Sequence, residues 1–388
     1  MSRFRVLLVS HAYVTPFNRA KAEALVASGE ADVTLLVPGR WEREVPPPEE
    51  GLPYRMAQLP VVFPGRGGGY FFRGGLGSLL KDVRPDLVHV EEEPWSVSAF
   101  QFAALKARAG FRYLLFSWEN LRKDFHGLRG WMERRTIRAV DLGIGGNEAA
   151  AREMRRKGVE AVCVLPQFGL DPERFRRGDG PRPGVFTIGY AGRLVPEKGV
   201  DLLLRAAARL GGSWRLKLLG SGPEKKALRA LAEELGLPPR VEFLLAVDPP
   251  EVADFLRGIN VLALPSVTAE TWAEQFGHVL IEAMSTEVPV VASRSGAIPE
   301  VVGDAGLLFP EGDVSALTGV LADLREDAEL AEALGAKGRK RVLERYTWER
   351  IAGRTLEVYR SLLNDEVPVR RSRTSESEEP GSGEKARP

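Results

Sequence analysis

Short apolar runs recur along this chain with room for one helix between successive runs, and this rhythm restricts the fold more than any other feature. VLLV (6–9), VTLLV (33–37), LVHV (87–90), YLLF (113–116) and LGIGG (142–146) form one series. FTIGYAG (186–192), RLKLLG (215–220), VEFLL (241–245), VLALP (261–265) and PVVAS (289–293) form a second. Strands that are apolar on both faces and separated by helices belong in parallel sheets with helices packed on either side. These runs suffice for two such sheets, and 388 residues suffice for two domains. Pro, Gly and charged residues accumulate between Leu165 and Gly184, which places the break there. The expected fold class is therefore α/β, with two Rossmann-like, doubly wound parallel-sheet domains.

Composition narrows the function classes. Lys and Arg number 54 against 53 Asp and Glu, so no global field recruits nucleic acid or a membrane, and any attraction has to be local. The lone Cys163 excludes an internal disulfide framework and a cysteine-rich metal site; it reads as a small buried hydrophobe in a reducing compartment. VLLV is too short for the apolar region of a signal peptide, and no stretch approaches a membrane span. The expected location is cytoplasmic, at most peripheral to a membrane.

The chemistry concentrates in EQFGHVLIEAMSTEVPVVASRSGAIPE, Glu274 to Glu300. Seven residues separate Glu274 from Glu282, and helical spacing turns both carboxylates to broadly the same side of a buried helix that opens at Glu274. Gly277 allows a ligand close to the backbone, and the free amides of a first helical turn suit a phosphate. A carboxylate pair beside an anion site suits a sugar nucleotide. Arg193 and Lys198 follow the strand FTIGYAG, at the sheet edge where ligands of parallel sheets bind. Gly220 and Gly222 in LLGSGP follow the next strand, where small residues permit a tight turn.

These segments, IGYAGRLVPEKG, LKLLGSGP and the Glu274–Glu300 stretch, occur in an order that resembles the family 4 retaining glycosyltransferases, which have the GT-B fold. The resemblance implies that Arg193 and Lys198 stabilise a diphosphate leaving group and that Glu282 accepts the ribose hydroxyls. It implies that Glu274 holds the transferred sugar near its anomeric carbon. Gly192, Phe276, Gly277, His278 and Val279 complete the donor site, and the base is expected near Val247. His278 stands where an aliphatic residue is usual, and reads either as a phosphate donor or as a helix-surface residue. Family members are also similar in having a terminal helix that crosses back. TWERIAGRTLEVYRSLL (347–363) takes that part, so the expected domains are 1–168 with 347–363, an acceptor domain, and 169–346, a donor domain, followed by a disordered tail, 364–388.

The first half departs from the family pattern. Pro16 and Asn18 occupy the loop after the first strand in place of a glycine pair, with Asn18 available to cap the next helix. Trp118, Glu119 and Asn120 lie where a histidine is usual, and Glu119 is assigned a site role, as a catalytic candidate beside Glu274, Arg193 and Lys198. The run Glu91, Glu92, Glu93 reads as a solvated acidic loop rather than a cation site, and no Asp-x-Asp occurs, so no metal and no cofactor are expected. PGRGGGYFFRGGLG (64–77) reads as a flexible loop or a substrate lid. In 121–140, Leu121, Phe125, Leu128 and Met132 recur at helical spacing among arginines, which suits either a contact with anionic lipid or packing into the core. The reading is metal-independent transfer of a sugar from a nucleoside diphosphate sugar, UDP first and GDP next, to a glycan or lipid-linked acceptor. A sugar-nucleotide epimerase or hydrolase of the same fold, and a non-catalytic sugar-nucleotide-binding scaffold, are the alternatives.

Overall fold

The computed structural model describes residues 3–47, 50–247 and 249–364, so that 365–388 of the expected tail lie outside the described residues. The first series of apolar runs forms β1 (Phe4–Val9) and β2 (Ala31–Pro38), followed by β3 (Arg55–Leu59) and a small antiparallel pair, β4 (Val61–Val62) and β5 (Phe71–Phe72). The series continues with β6 (Leu87–Glu91), β7 (Arg112–Ser117), β8 (Leu142–Gly145) and β9 (Val162–Val164). Apart from β4 and β5, these strands make a seven-stranded sheet in the order β3-β2-β1-β6-β7-β8-β9, parallel throughout. The second series forms β10 (Phe186–Ala191), β11 (Trp214–Leu219), β12 (Val241–Leu244), β13 (Val261–Leu264), β14 (Val290–Ser293) and β15 (Leu307–Phe309). Its parallel order is β12-β11-β10-β13-β14-β15.

Alternation along β1 shows why both faces had to be apolar. Val6 and Leu8 enter one core and Leu7 and Val9 the other, all four fully buried. The strands absent from the sequence reading are β3, whose RMAQL is only partly buried, and the short β4, β5, β9 and β15, of two or three residues each. The side on which successive strands are added reverses at the first strand of each sheet, between β1 and β6 and between β10 and β13. Crevices at the carboxyl ends of strands flanking such a reversal are where ligands bind.

Residues 165–185 connect the sheets without strand or helix, and a division at 168/169 is proposed within this stretch. The helix Trp348–Leu363 returns to the first sheet, where Ala352, Leu356, Tyr359 and Leu362 join the same core as Val6 and Leu8. The two connections run together: Leu170 N donates to Tyr346 O at 2.9 Å and Trp348 N to Leu170 O at 3.3 Å.

Three local expectations change. The basic segment becomes helical only at Gly127, over Gly127–Ala139, so Leu121 and Phe125 share no helical face with Leu128 and Met132. That helix buries Gly130, Glu133, Thr136 and Ile137, while Leu128 and Trp131 are exposed. Asn18 caps nothing; its side chain donates to Ala12 O at 2.8 Å, and the helix Ala20–Ala27 starts without a side-chain cap. The glycine-rich loop is packed in place, because a Cβ at Gly68 would lie 1.6 Å from the Trp95 ring.

Candidate active site

On the second domain, β10, β11 and β13 end at one edge. The turn after β10 carries Gly192, Arg193 and Lys198, and the Tyr190 hydroxyl donates to Arg193 O at 2.6 Å, fixing its backbone. The turn after β11 lies directly beneath. A Cβ on Gly220 would come 1.9 Å from Gly192 O, and one on Gly222 would come 2.2 Å from Leu194 O, so these glycines let two backbones meet beneath the expected nucleotide site. Gly192, Arg193, Gly220, Val247, Val279 and Glu282 surround one open cavity of about 320 Å³. Arg193 is largely exposed, its nearest acid being Glu197 at 3.8 Å, which leaves its guanidinium available to an anion.

Beside this cavity, Lys198 Nζ contacts Glu274 Oε2 at 2.5 Å and lies 4.8 Å from the centre of the Trp272 ring. The Ser266 hydroxyl donates to the same carboxylate oxygen at 2.9 Å. Ser266 and Trp272 were not singled out in the sequence, although Ser266 follows the strand VLALP at the edge where ligands gather. Glu274 does not share a helix with Glu282. The helix is His278–Ser285, with Gly277 as its N-cap at φ 72°, so Glu274 sits in the loop before it and helical periodicity does not aim the pair.

His278 matches neither expectation. Its Nδ1 meets Glu282 Oε1 at 3.0 Å and its Nε2 meets Gly169 O at 3.2 Å, so both ring nitrogens are engaged. Burial works against its protonation, but the charge and hydrogen bond of Glu282 outweigh it and raise the pKa. The spacing of four residues within a helix was the available signal. Phe276 is buried among Trp118, His278 and Tyr346 and serves as packing between the domains.

The first domain meets this edge through residues after β7 and β8. Asn120 Nδ2 donates to Glu274 O at 3.0 Å, Asn147 Nδ2 to Gln275 O at 2.8 Å, and Gln275 Nε2 to Trp118 O at 3.2 Å. Asn120 thus touches the Glu274 segment, whereas Glu119 turns back into its own domain, toward Lys123 at 2.7 Å and Trp95 Nε1 at 3.2 Å.

The acidic run is not a solvated loop. Glu91 is buried with Lys21, Tyr13 and Gln167 as partners; Glu92 is buried against His11 and Tyr70; Glu93 accepts from Ser117 Oγ at 2.5 Å and Trp118 N at 2.9 Å. Removal from water, with the Glu119 charge adding to it, raises the Glu93 pKa from 4.5 to about 7 against the opposing Ser117 hydrogen bond. A carboxyl raised on folding favours the folded state when protonated, so its contribution is present below about pH 4.5 and is lost as pH rises toward 7. The raised His11 and His278 lose theirs in the same direction. Buried His89, lowered to about 3 by its removal from water, works the other way below about pH 6.5, so the expected result is a melting temperature that falls between about pH 6.5 and pH 8, with a shallower fall in Glu93→Gln. An equal slope in both proteins, measured by calorimetry, would assign the titration elsewhere.

Two doubly wound sheets whose carboxyl edges meet, with a cavity lined by Arg193 and Glu282 on one of them, define the GT-B class. The family described as "Glycosyl transferase 4-like domain" matches residues 14–167 and that described as "Glycosyl transferases group 1" matches 171–341. The chain belongs to the family 4 glycosyltransferases. It is 34% identical over 222 residues to a GDP-mannose-dependent alpha-(1-6)-phosphatidylinositol monomannoside mannosyltransferase of Mycolicibacterium smegmatis, an alignment covering 54% of this chain and 56% of the relative. It is 36% identical over 228 residues to a D-inositol 3-phosphate glycosyltransferase of Corynebacterium urealyticum, covering 55% and 52%. The chain thus spans little more than half the length of these relatives. Among solved structures, sucrose-phosphate synthase from Thermosynechococcus elongatus superposes with a TM-score of 0.70 at 24% identity, over 93% of this chain and 99% of that one. Anabaena HepE in complex with UDP gives 0.68 at 18% identity, over 92% and 99%. At these identities the likeness concerns the fold. No helix among the described residues is long and apolar enough to cross a membrane, and no group of three or more His, Cys, Asp or Glu there could hold a metal ion.

Proposed function

We propose that the protein transfers a sugar, with retention of anomeric configuration, from a nucleoside diphosphate sugar to a hydroxyl of a glycan or lipid-linked acceptor. The observation that carries this reading is the placement of Arg193, Val279 and Glu282 around one cavity with the Lys198–Glu274 pair beside it. Arg193 and Lys198 supply fixed positive charge for a departing diphosphate, the most demanding charge change in the reaction. Glu282 keeps Oε2 for the ribose while His278 occupies Oε1. The departing phosphate takes the acceptor's proton, so no separate strong base and no metal are required. Glu119, turned toward Lys123, supports the acceptor side from behind rather than meeting the donor. Exposed Leu128 and Trp131, with Arg129, Arg134 and Arg135 on the same helix, support an acceptor presented at an anionic membrane surface.

The test is thermal stabilisation by nucleotides and sugar nucleotides in the absence of metal, for the native protein, Arg193→Ala and Glu282→Ala. UDP-sugars stand first in the panel and GDP-sugars next; one relative's name specifies GDP-mannose and one neighbouring structure contains UDP. The expected result is a shift selective for one nucleoside diphosphate sugar, with affinity at least about tenfold weaker in each variant. Folded native protein that no sugar nucleotide stabilises would sink the donor-site reading.

A further inference from the structure

Opposite the donor side, the first residue after Ser10 at the end of β1 is a histidine held in an unusual way. His11 Nδ1 meets Glu92 Oε1 at 2.7 Å, and the same oxygen accepts from the His11 backbone N at 2.8 Å and from the Tyr70 hydroxyl at 2.8 Å. The Glu92 side chain is 2% exposed and that of His11 34%. Trp41 stacks on the imidazole, centroids 4.6 Å apart at 23°. A carboxylate that collects a ring N–H and two further donors fixes both the orientation and the tautomer of the ring, with the proton on Nδ1. Nε2 is then left as the working atom, and no protein group among the described residues bonds it.

The position of this pair gives it a purpose. β1 neighbours β6, and β6 neighbours β7; Asn120, three residues beyond the end of β7, touches the Glu274 carbonyl. Two strand spacings of about 4.8 Å put the ends of β1 and β7 roughly 10 Å apart along the same edge, a separation that a ring held between side chains from the two can span. Charge narrows the ligand. Glu92 holds the ring at Nδ1, and Lys21, the cation buried behind it, is engaged by Glu91, so that cation is not free to pair with a phosphate brought to His11.

We infer that His11, held by Glu92, is an acceptor-binding residue that takes a hydroxyl of an uncharged sugar or polyol ring seated beside Trp41. This rests on the transferase reading above. The pair deepens that reading by naming what enters the cleft: the ring itself is uncharged, whatever is attached farther out.

The experiment compares native protein, His11→Ala and His11→Gln, with methyl α-glucoside, methyl α-mannoside, myo-inositol and myo-inositol phosphate as acceptors and the stabilising sugar nucleotide as donor. The expected result is use of an uncharged acceptor, with its KM about tenfold higher in His11→Ala, kcat within about twofold, and part of the affinity restored in His11→Gln. Imidazole NMR signals of the four histidines, with His11 identified by its loss in His11→Ala, are expected to shift at His11 when that acceptor binds. Unchanged acceptor KM in folded His11→Ala, an unmoved His11 signal, or exclusive use of myo-inositol phosphate would each overturn the inference. Donor-induced thermal stabilisation is read separately in all three proteins; its absence in the native protein counts against the donor site, and its retention in His11→Ala shows that a changed KM belongs to the acceptor.

Discussion

Lys198→Met is expected to lower sugar transfer by about 10²- to 10³-fold, the loss typical when a fixed charge or donor aimed at developing negative charge is removed. The lysine closes the short turn Pro196–Lys198 after β10, and its Nζ is held at 2.5 Å from Glu274 with Trp272 beneath. Methionine keeps the stem's volume and removes only the ammonium. It also leaves Glu274, 7% exposed, with Ser266 as its remaining side-chain partner, which costs about 2 kcal/mol of stability. Single-turnover transfer and donor affinity, measured with Glu274→Gln in parallel, separate the two effects. Glu274→Gln is expected to retain donor binding within about tenfold while losing turnover, because a neutral amide still fills the space and still accepts from Ser266. Transfer by folded Lys198→Met within about threefold of the native rate would remove Lys198 from the catalytic machinery.

The second large effect is expected at Gly296. Its φ is 51°, in the left-handed region, and a Cβ there would lie 2.1 Å from Glu274 O and 2.8 Å from Glu274 N. Those backbone atoms cannot swing aside as a side-chain tip does, because Glu274 O already accepts from Ala297 N at 2.8 Å and from Asn120 across the cleft. Gly296→Ala is therefore expected to cost about 2–4 kcal/mol, a drop in Tm of roughly 5–10 °C, and to displace the Glu274 carboxylate, with loss of transfer. Gly312→Ala is the control. Its φ is 74° with no atom within 4 Å of the added carbon, so it carries only the conformational cost, about 1 kcal/mol. Equal melting points for the two variants would show that the contact with Glu274 is relieved without consequence.

The legible part of this protein was what short-range pattern encodes. Parallel strands buried on both faces leave continuous apolar runs, and each run singled out in the sequence is a strand in the structure. Arg193 could be placed at the sheet edge because it follows a parallel strand, whereas Glu282 was assigned through the family resemblance; one cavity holds both with Val247. What was hidden depends on contacts that spacing does not carry. The E-x7-E pair looked helical, yet Gly277 starts the helix three residues after Glu274. Three consecutive glutamates looked solvated, because Lys21, Tyr70 and Ser117, which engage them, lie between 22 and 70 residues away in the chain. The basic segment looked amphipathic from Leu121 because periodicity was counted through residues that the helix does not include.

The crossing helix also sets an order on how the molecule comes into being. A chain is synthesised from its amino end, and domains generally fold as they emerge. Here the first sheet lacks part of its core until Leu356, Tyr359 and Leu362 arrive, and buried His89 waits for the Tyr359 hydroxyl, 2.9 Å away in the finished fold. The core of the second sheet closes with Leu334, Val342 and Tyr346, before the crossing helix begins at Trp348. The half made first is thus completed last, and its exposed face must be kept from other partners for as long as the second half takes to be translated.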